Sequence, residues 1–238
     1  MRLFVANWKM HKTRGQARAF ARDLAAQIGD RPPSVELVIA PPLTALEAVR
    51  DPEGRWSLAA QNVAAEAAGA LTGEVSARML ADAGCRYVIV GHSERRRLFG
   101  EDGPLLARKL ARARDENLTP IYCLGESEEE RSRGLTAQVF ERQAQTLAQD
   151  PASAPLVVAY EPVWAIGTGQ AAAPEDAAAA RARLRKLLAN RQSLRLLYGG
   201  SVTPENAGKL LEASGMDGFL VGGASLEPSS FARIAGLA

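Results

Sequence analysis

Short apolar runs, each followed by a helical pattern rich in Ala, Leu and Arg, recur eight times along this chain of 238 residues. Such runs, alternating with helices, are typical of a parallel sheet whose strands are buried on both faces. Eight units predict closure into a (β/α)8 barrel, because closure gives every strand two neighbours and leaves no edge. The predicted strands are 3–6, 37–40, 57–62, 87–90, 120–124, 156–160, 195–198 and 218–221, and the predicted helices are 13–28, 44–49, 77–83, 103–117, 137–149, 175–189, 204–213 and 228–236.

A doubly wound open sheet is the alternative fold. It normally brings a Gly-x-Gly-x-x-Gly turn after the first strand. The turn here runs from Asn7 to Lys12 and contains no glycine, which weakens the alternative. No low-complexity linker divides the chain, and α/β barrels of this length often form one domain. We therefore expect an α/β fold, a single domain over residues 1–238.

Composition argues against several classes of protein. The formal net charge is only +2 and the arginines are spread over the predicted helices, so a nucleic-acid partner is not expected. No apolar run approaches the roughly 18 residues of a membrane span, and the first strand begins without a signal-peptide pattern. Cys85 and Cys123 have neither metal nor redox spacing, as is typical of buried thiols in a reducing setting. We expect a cytoplasmic protein that does not bind membranes.

Glu161 directly follows the predicted strand 156–160, and the loop after it contains Gly167, Thr168 and Gly169. A carboxylate on a rigid strand beside a loop that can hinge is the layout of a general base under a lid. The simpler alternative is a residue that ends a strand, followed by a glycine turn. The segment taken alone leaves both interpretations open.

Two further strands also end in polar side chains. Asn7 and Lys9 follow the first strand, and His92 follows the fourth; in a barrel these ends share the face that carries the chemistry. The lysine is a compact positive charge that could face a ligand oxygen. A helical turn after His92 would direct N–H groups at it and disfavour the imidazolium, leaving a neutral imidazole for proton exchange. A solvated loop lysine and a packed histidine are the alternatives.

The last two predicted strands end in paired glycines. Gly199 and Gly200 precede Ser201, and Gly222 is followed by Gly223. Glycine lets backbone N–H groups approach an anion, and in barrels a phosphate commonly lies in the loops after strands seven and eight. The pattern favours a phosphate site over the alternative, a pair of tight turns.

Six motifs, in the same order and over nearly the full length, resemble the triosephosphate isomerase family. They are Asn-Trp-Lys-Met at 7–10, Thr-Gly-Glu-Val-Ser at 72–76, Val-Gly-His-Ser-Glu-Arg-Arg at 90–96, the segment 160–169, Tyr-Gly-Gly-Ser-Val at 198–202 and Val-Gly-Gly-Ala-Ser-Leu at 221–226. The resemblance implies a TIM barrel. It also implies interconversion of dihydroxyacetone phosphate and D-glyceraldehyde 3-phosphate through an enediol(ate), with no cofactor.

The resemblance implies a role for each candidate residue. Glu161 would be the base, and neutral His92 would polarise the carbonyl and move protons between the oxygens, as is established for the family. Lys9 would supply positive charge and Asn7 a hydrogen-bond donor, while Glu94 would orient Lys9 or assist proton movement. The phosphate would be bound by backbone N–H groups of Gly167, Ser201, Gly222 and Gly223.

The resemblance further implies that the loop after the sixth strand closes over the enediol, with hinges at 162–164 and 170–172 and the Tyr198 hydroxyl as a latch. The chain departs from the family at the second hinge, where Gln170 replaces the usual lysine. Ala173 also leaves the next helix without a Ser or Thr N-cap, which costs about 0.5–2 kcal/mol. Both departures bear on loop motion and affinity.

The loop 72–74 resembles the one that, in the family, enters the neighbouring subunit near its Lys9. A homodimer is implied, with Glu74 paired to Arg95 there; a tetramer stays open. Two other functions compete: a different phosphosugar isomerase or an aldolase on the same barrel, and a non-catalytic sensor of a phosphorylated ligand. No predicted strand contains the Schiff-base lysine that an aldolase needs, and a sensor needs no base.

Overall fold

The computed structural model describes residues 1–29, 34–165 and 172–237. Eight strands pair in chain order, all parallel, and close into a barrel because β8 returns to β1 with Leu3 opposite Gly218. The strands are β1 Arg2–Asn7, β2 Val35–Ala40, β3 Ser57–Ala60, β4 Cys85–Val90, β5 Thr119–Leu124, β6 Leu156–Tyr160, β7 Leu194–Tyr198 and β8 Gly218–Val221. The predicted α/β TIM barrel is confirmed.

Helices cover the outside of the barrel. In the described residues the α-helices are α1 Arg14–Ile28, α2 Ala77–Asp82, α3 Ser93–Phe99, α4 Gly103–Asp115, α5 Glu128–Ser132, α6 Thr136–Ala144, α7 Pro174–Leu187, α8 Ala207–Ser214 and α9 Pro228–Ile234. Short 3-10 turns lie at Leu43–Ala45, Glu47–Val49, Gln145–Leu147, Val163–Ala165 and Gly223–Leu226. Over the same ranges, none of the helices has the length and apolar character needed to cross a membrane.

Side chains alternate along the strands between the inside of the barrel and the layer of helices. On β1, Leu3 and Val5 belong to the inner cluster, while Phe4 and Ala6 pack with the helices in the outer one. Both sets are buried, which explains why the strands appear in the sequence as unbroken apolar runs.

Three helix starts follow the sequence prediction, since Pro104, Pro174 and Pro228 stand in the first two positions of α4, α7 and α9. The predicted start at 204 is wrong, because residues 204–206 form a turn and α8 begins at Ala207. The capping chemistry is nevertheless present in that turn. Thr203 N–H donates to Asn206 Oδ1 at 2.9 Å, and Asn206 N–H donates to Thr203 Oγ1 at 3.4 Å.

Among the other boundaries that differ from the prediction, two have local reasons. The predicted helix 44–49 is instead a pair of 3-10 turns, Leu43–Ala45 and Glu47–Val49; a segment this short gains little from helix propagation after a costly nucleation. The predicted strand 57–62 ends at Ala60. Gln61 then directs its amide at the carbonyl oxygens of Lys9 and Ala40, both at 2.8 Å.

Candidate active site

The carboxyl ends of β1, β4, β6, β7 and β8 surround a cavity of about 290 Å³. Seven of the predicted site residues line it, namely Asn7, Lys9, His92, Glu161, Ser201, Gly222 and Gly223. Glu94 lines the adjoining cavity and contacts Lys9. The remaining predicted residue, Gly167, lies outside the described residues. The cavity is at the small end of the size range for ligand sites.

Lys9 has a backbone φ of 53°, in the left-handed region that is unfavourable for a side-chain-bearing residue. Its N–H donates to Asn7 Oδ1 at 3.1 Å, and its carbonyl accepts from the Gln61 amide at 2.8 Å. The ammonium group pairs with Glu94 Oε1 at 2.7 Å. Three side chains therefore fix this backbone and its charge beside the cavity. Gln61 was not among the predicted site residues, although a polar residue just after an apolar run was the available signal.

His92 is the N-cap residue of α3. Its Nδ1 accepts a hydrogen bond from the Glu94 N–H at 3.2 Å, and its Nε2 lies 3.0 Å from Glu161 Oε1. Because Nδ1 is an acceptor, the neutral ring carries its proton on Nε2, the ring nitrogen that lies beside Glu161. The second oxygen of Glu161, Oε2, accepts from the Ser93 N–H at 2.8 Å.

Burial and pairing shift the pKa values of His92 and Glu161 in opposite directions. Burial disfavours the imidazolium, but the nearby Glu161 carboxylate and, to a lesser extent, Glu94 outweigh it, so the pKa of His92 is raised. Burial likewise disfavours the Glu161 carboxylate, yet His92 and the Ser93 N–H outweigh it and the pKa of Glu161 is lowered. The expectation that the helix N-terminus would lower the pKa of His92 is therefore wrong while Glu161 faces the ring.

Among the paired glycines Gly199 packs tightly against the base, whereas a Cβ on Gly222 would make only an ordinary contact and one on Gly223 would meet nothing within 4 Å. A Cβ on Gly199 would come 3.0 Å from Glu161 Cγ, and one on Gly222 would lie 3.5 Å from Lys9 Cε. Gly223 begins the 3-10 turn that follows β8. The Ser201 hydroxyl donates to the Ala165 carbonyl at 2.8 Å, so its one proton is already used within the chain.

Both described flanks of the segment 166–171 are bound to their surroundings. On one side the Trp164 indole donates to Glu126 at 3.1 Å, and the Arg131 guanidinium lies 3.9 Å from the indole ring. On the other side Ala172, in the predicted second hinge, donates its N–H to the Tyr198 hydroxyl at 3.1 Å. The lid prediction itself, including Gly167 and Gln170, lies outside the described residues.

The donor chemistry of the site suits proton transfer. Among the residues that the structure describes, histidine, cysteine and carboxylate side chains form no group of three that could bind a metal ion. A buried carboxylate, an imidazole and an ammonium group instead surround a glycine-lined cavity at the carboxyl end of a (β/α)8 barrel. Fold and site together define a class of enzyme that moves protons on a small anionic substrate.

Comparison with known proteins identifies the family within that class. The family model for triosephosphate isomerase matches residues 2–238. The triosephosphate isomerase of Chloroflexus aurantiacus is 47% identical, covering 98% of this chain and 97% of that protein. Those of Symbiobacterium thermophilum (47% identical, 98% and 94% covered) and Thermus thermophilus (46% identical, 98% and 98% covered) are similar. The chain belongs to the triosephosphate isomerase family and is an isomerase.

Proposed function

We propose that this chain interconverts dihydroxyacetone phosphate and D-glyceraldehyde 3-phosphate through an enediol(ate), without a cofactor. The observation that carries the proposal is the 3.0 Å separation of His92 Nε2 and Glu161 Oε1, in a cavity that Lys9 and the paired glycines also line. One substrate bound there would reach a base, a proton donor and a positive charge at once. Membership of the family supports the same reaction.

Glu161 is the base in this proposal. It takes the proton from the carbon next to the carbonyl, and the electron pair moves onto the carbonyl oxygen to form the enediolate. The resulting carboxylic acid returns the proton to the neighbouring carbon. Before it can take the substrate proton, the carboxylate has to release the Ser93 N–H and turn away from the imidazole that it faces at rest.

His92 moves the proton between the two substrate oxygens. It gives its Nε2 proton to the developing oxyanion and recovers a proton from the adjacent hydroxyl. Once Glu161 has turned toward the substrate carbon, its stabilisation of the imidazolium weakens, while burial and the Glu94 N–H on Nδ1 continue to favour the neutral ring. Lys9 stabilises the enediolate charge, Asn7 supports it by hydrogen bonding, and Glu94 orients the ammonium group.

The phosphate is bound by the backbone N–H groups of Ser201, Gly222 and Gly223, joined by Gly167 when the loop 166–171 closes. Charged groups at these loops are not needed, because backbone N–H groups at helical turns already favour an anion. Closure would exclude water, which protects an enediol phosphate from losing its phosphate.

We also propose that residues 1–238 form one domain and that the protein is a cytoplasmic homodimer assembled through the loop Thr72–Glu74. Exposed apolar side chains support the dimer: Met10, Leu43, Leu98 and Phe99 line a cavity of about 630 Å³ that adjoins Lys9. Gly73 and Glu74 line the same cavity. Arg95, the proposed partner of Glu74 across the interface, is paired with Glu101 at 2.6 Å within its own chain.

Replacing the base tests the reaction. Glu161→Gln should lower kcat at least ~10²–10⁴-fold, the usual effect of losing a positioned general base, measured in a coupled assay with glyceraldehyde 3-phosphate. Glu36→Gln is the matched control, a buried carboxylate at the opposite end of the barrel. Near-wild-type activity of Glu161→Gln would contradict the assignment. Binding of substrate without turnover by the unaltered protein would favour the sensor instead.

A further inference from the structure

We propose that Tyr122, a residue outside the cavity, is a positioning residue that maintains the relative placement of the His92 ring and the Glu161 carboxylate. This inference rests on the proposed function. Tyr122 is fully buried on β5 and faces the helix layer, whereas its neighbours Ile121 and Cys123 face the barrel interior. Its hydroxyl makes two hydrogen bonds. It accepts from Arg96 Nη2 at 3.0 Å and donates to the main-chain carbonyl of Gln143 at 2.7 Å.

On one side the hydroxyl is connected to His92. Arg96 belongs to α3, the helix that His92 caps. Its guanidinium donates from Nε to the Gly91 carbonyl at 2.7 Å and from Nη2 to the Cys123 carbonyl at 2.8 Å. Gly91 has a φ of +73°, and a Cβ there would lie 2.8 Å from Arg96 Nη2. Arg96 therefore packs directly on the peptide that precedes His92.

On the other side the hydroxyl is connected to Glu161. The Gln143 side chain hydrogen-bonds both backbone groups of Gly125, accepting from its N–H at 2.9 Å and donating to its carbonyl at 3.1 Å. A Cβ on Gly125 would overlap the Glu161 carbonyl oxygen, so the two backbones are in direct contact. Glu161 N–H also donates to the Leu124 carbonyl at 2.7 Å. Gln143 thus holds the end of β5 against the base.

The Tyr122 hydroxyl joins the Arg96 contacts beside His92 to the Gln143 contacts beside Glu161. Without its hydroxyl, Arg96 would keep its contacts with Gly91 and Cys123, and Gln143 would keep those with Gly125. The hydrogen-bonded link from Arg96 on α3 to the backbone of α6 would be lost, leaving the two helices joined through β5, and the part-buried Gln143 carbonyl would lose this donor. Proton transfer depends on sub-ångström placement of the His92 imidazole and the Glu161 carboxylate. A small change in their relative position therefore affects the chemical step rather than substrate binding.

Tyr122→Phe tests the proposal by removing one oxygen atom. We expect a fall in kcat of about 5- to 20-fold with KM within about two-fold, the pattern of an interaction used in the transition state. In the resting enzyme, NMR of the His92 Nε2 proton, which faces Glu161, should show a shifted or broadened resonance. Tyr87→Phe is the matched control: it removes an equally buried hydroxyl that binds Glu36 at 2.5 Å and Arg195 at 2.8 Å, away from the site.

Two outcomes would overturn the role: unchanged kcat and His92 resonance in Tyr122→Phe, or equal losses in Tyr87→Phe. If Tyr122→Phe does not fold, Gln143→Met decides, since it breaks the Gly125 contacts and should likewise lower kcat and shift the His92 resonance. With both variants folded, the double variant should lose less than the product of the single losses. Absent turnover by the unaltered enzyme would refute the proposed function, whereas the NMR comparison would still test the positioning.

Discussion

The pairing of Glu161 with His92 sets the charge of the resting site and makes it depend on pH. The lowered pKa of Glu161 contributes stability above the ordinary value of 4.5, and this contribution is lost as pH falls through the folded pKa. The raised pKa of His92 contributes stability below its ordinary value of 6.5, which is lost as pH rises through the folded pKa. Both contributions are complete only between these two ordinary values.

Replacing the Glu161 carboxylate by a neutral group should therefore lower the pKa of His92 instead of raising it. In Glu161→Gln the largest influence that raises the pKa of His92 is absent and burial remains, so the pKa should fall below 6.5. A ¹⁵N NMR titration of His92 measures it directly. Glu94→Gln serves as the comparison and should lower the pKa less, since Glu94 is the weaker influence. A pKa in Glu161→Gln as high as in the unaltered protein would contradict the pairing.

The same variant should also change the pH profile of stability. The difference in free energy of unfolding between the unaltered protein and Glu161→Gln should be greatest between about pH 4.5 and 6.5 and smaller on either side, following the window set by the two pKa shifts. Urea unfolding across pH measures the difference.

At the scale of single residues, the sequence predicts which side chains belong to the site but not the contacts between them. Glu161, His92 and Lys9 were identifiable because each follows an apolar strand of a barrel. The 3.0 Å approach of His92 to Glu161 depends on the closure of the whole barrel. The contact of Gln61 with the Lys9 carbonyl likewise joins residues that are distant in the chain, and no local pattern encodes such a distance.

Among the helices, α7 is the one whose start bears on the site, since it follows the segment 166–171. Its N-cap residue, Ala173, makes no side-chain cap, as the sequence predicts. Other groups partly compensate for the missing cap. Glu175 and Asp176 stand in the first turn, where acidic side chains complement the helix dipole, and Asp176 pairs with Arg131 at 3.0 Å.

Restoring the cap should stabilise this element. Ala173→Ser places a hydroxyl where it can accept from the Asp176 N–H, and we expect the free energy of unfolding to rise by about 1 kcal/mol. Denaturant unfolding at one fixed protein concentration measures the change, because assembly also contributes to stability. Ala179→Ser, an exposed position inside α7, is the control and should be neutral or slightly destabilising. A rise no larger than the control's would exclude capping as the cause.

Element type was more predictable than element ends. Strands such as Leu156–Tyr160 and Gly218–Val221 match the prediction residue for residue, because burial on both faces leaves an unbroken apolar run. The start of α8 was misplaced because Thr203 and Pro204 also suit a turn, and in the structure the Thr203–Asn206 hydrogen bonds form that turn. Local residue preferences are compatible with both arrangements.

For the molecule as a whole, the repeat of eight strand–helix units was sufficient to predict the barrel. What that pattern does not reveal is how the outer surface divides into solvent-facing and partner-facing parts. Met10, Leu98 and Phe99 are 94%, 64% and 66% exposed and lie beside the same large cavity. Exposed apolar side chains gathered around one cavity are typical of interaction sites, which agrees with the proposed homodimer.

The loop that precedes Gly73 offers a way to test the proposed homodimer. Leu71 is 45% exposed, so a charge there should leave the protomer folded yet prevent the loop from entering an apolar cavity on a second copy. We expect Leu71→Arg to be monomeric and to lose activity, since the cavity beside Lys9 would stay uncovered; sedimentation velocity and turnover of one sample measure both. Leu187→Arg, a half-exposed leucine on α7, is the matched control and should leave assembly unchanged. Sedimentation of Leu71→Arg as a dimer would contradict this interface, and a monomeric unaltered protein would contradict the dimer itself.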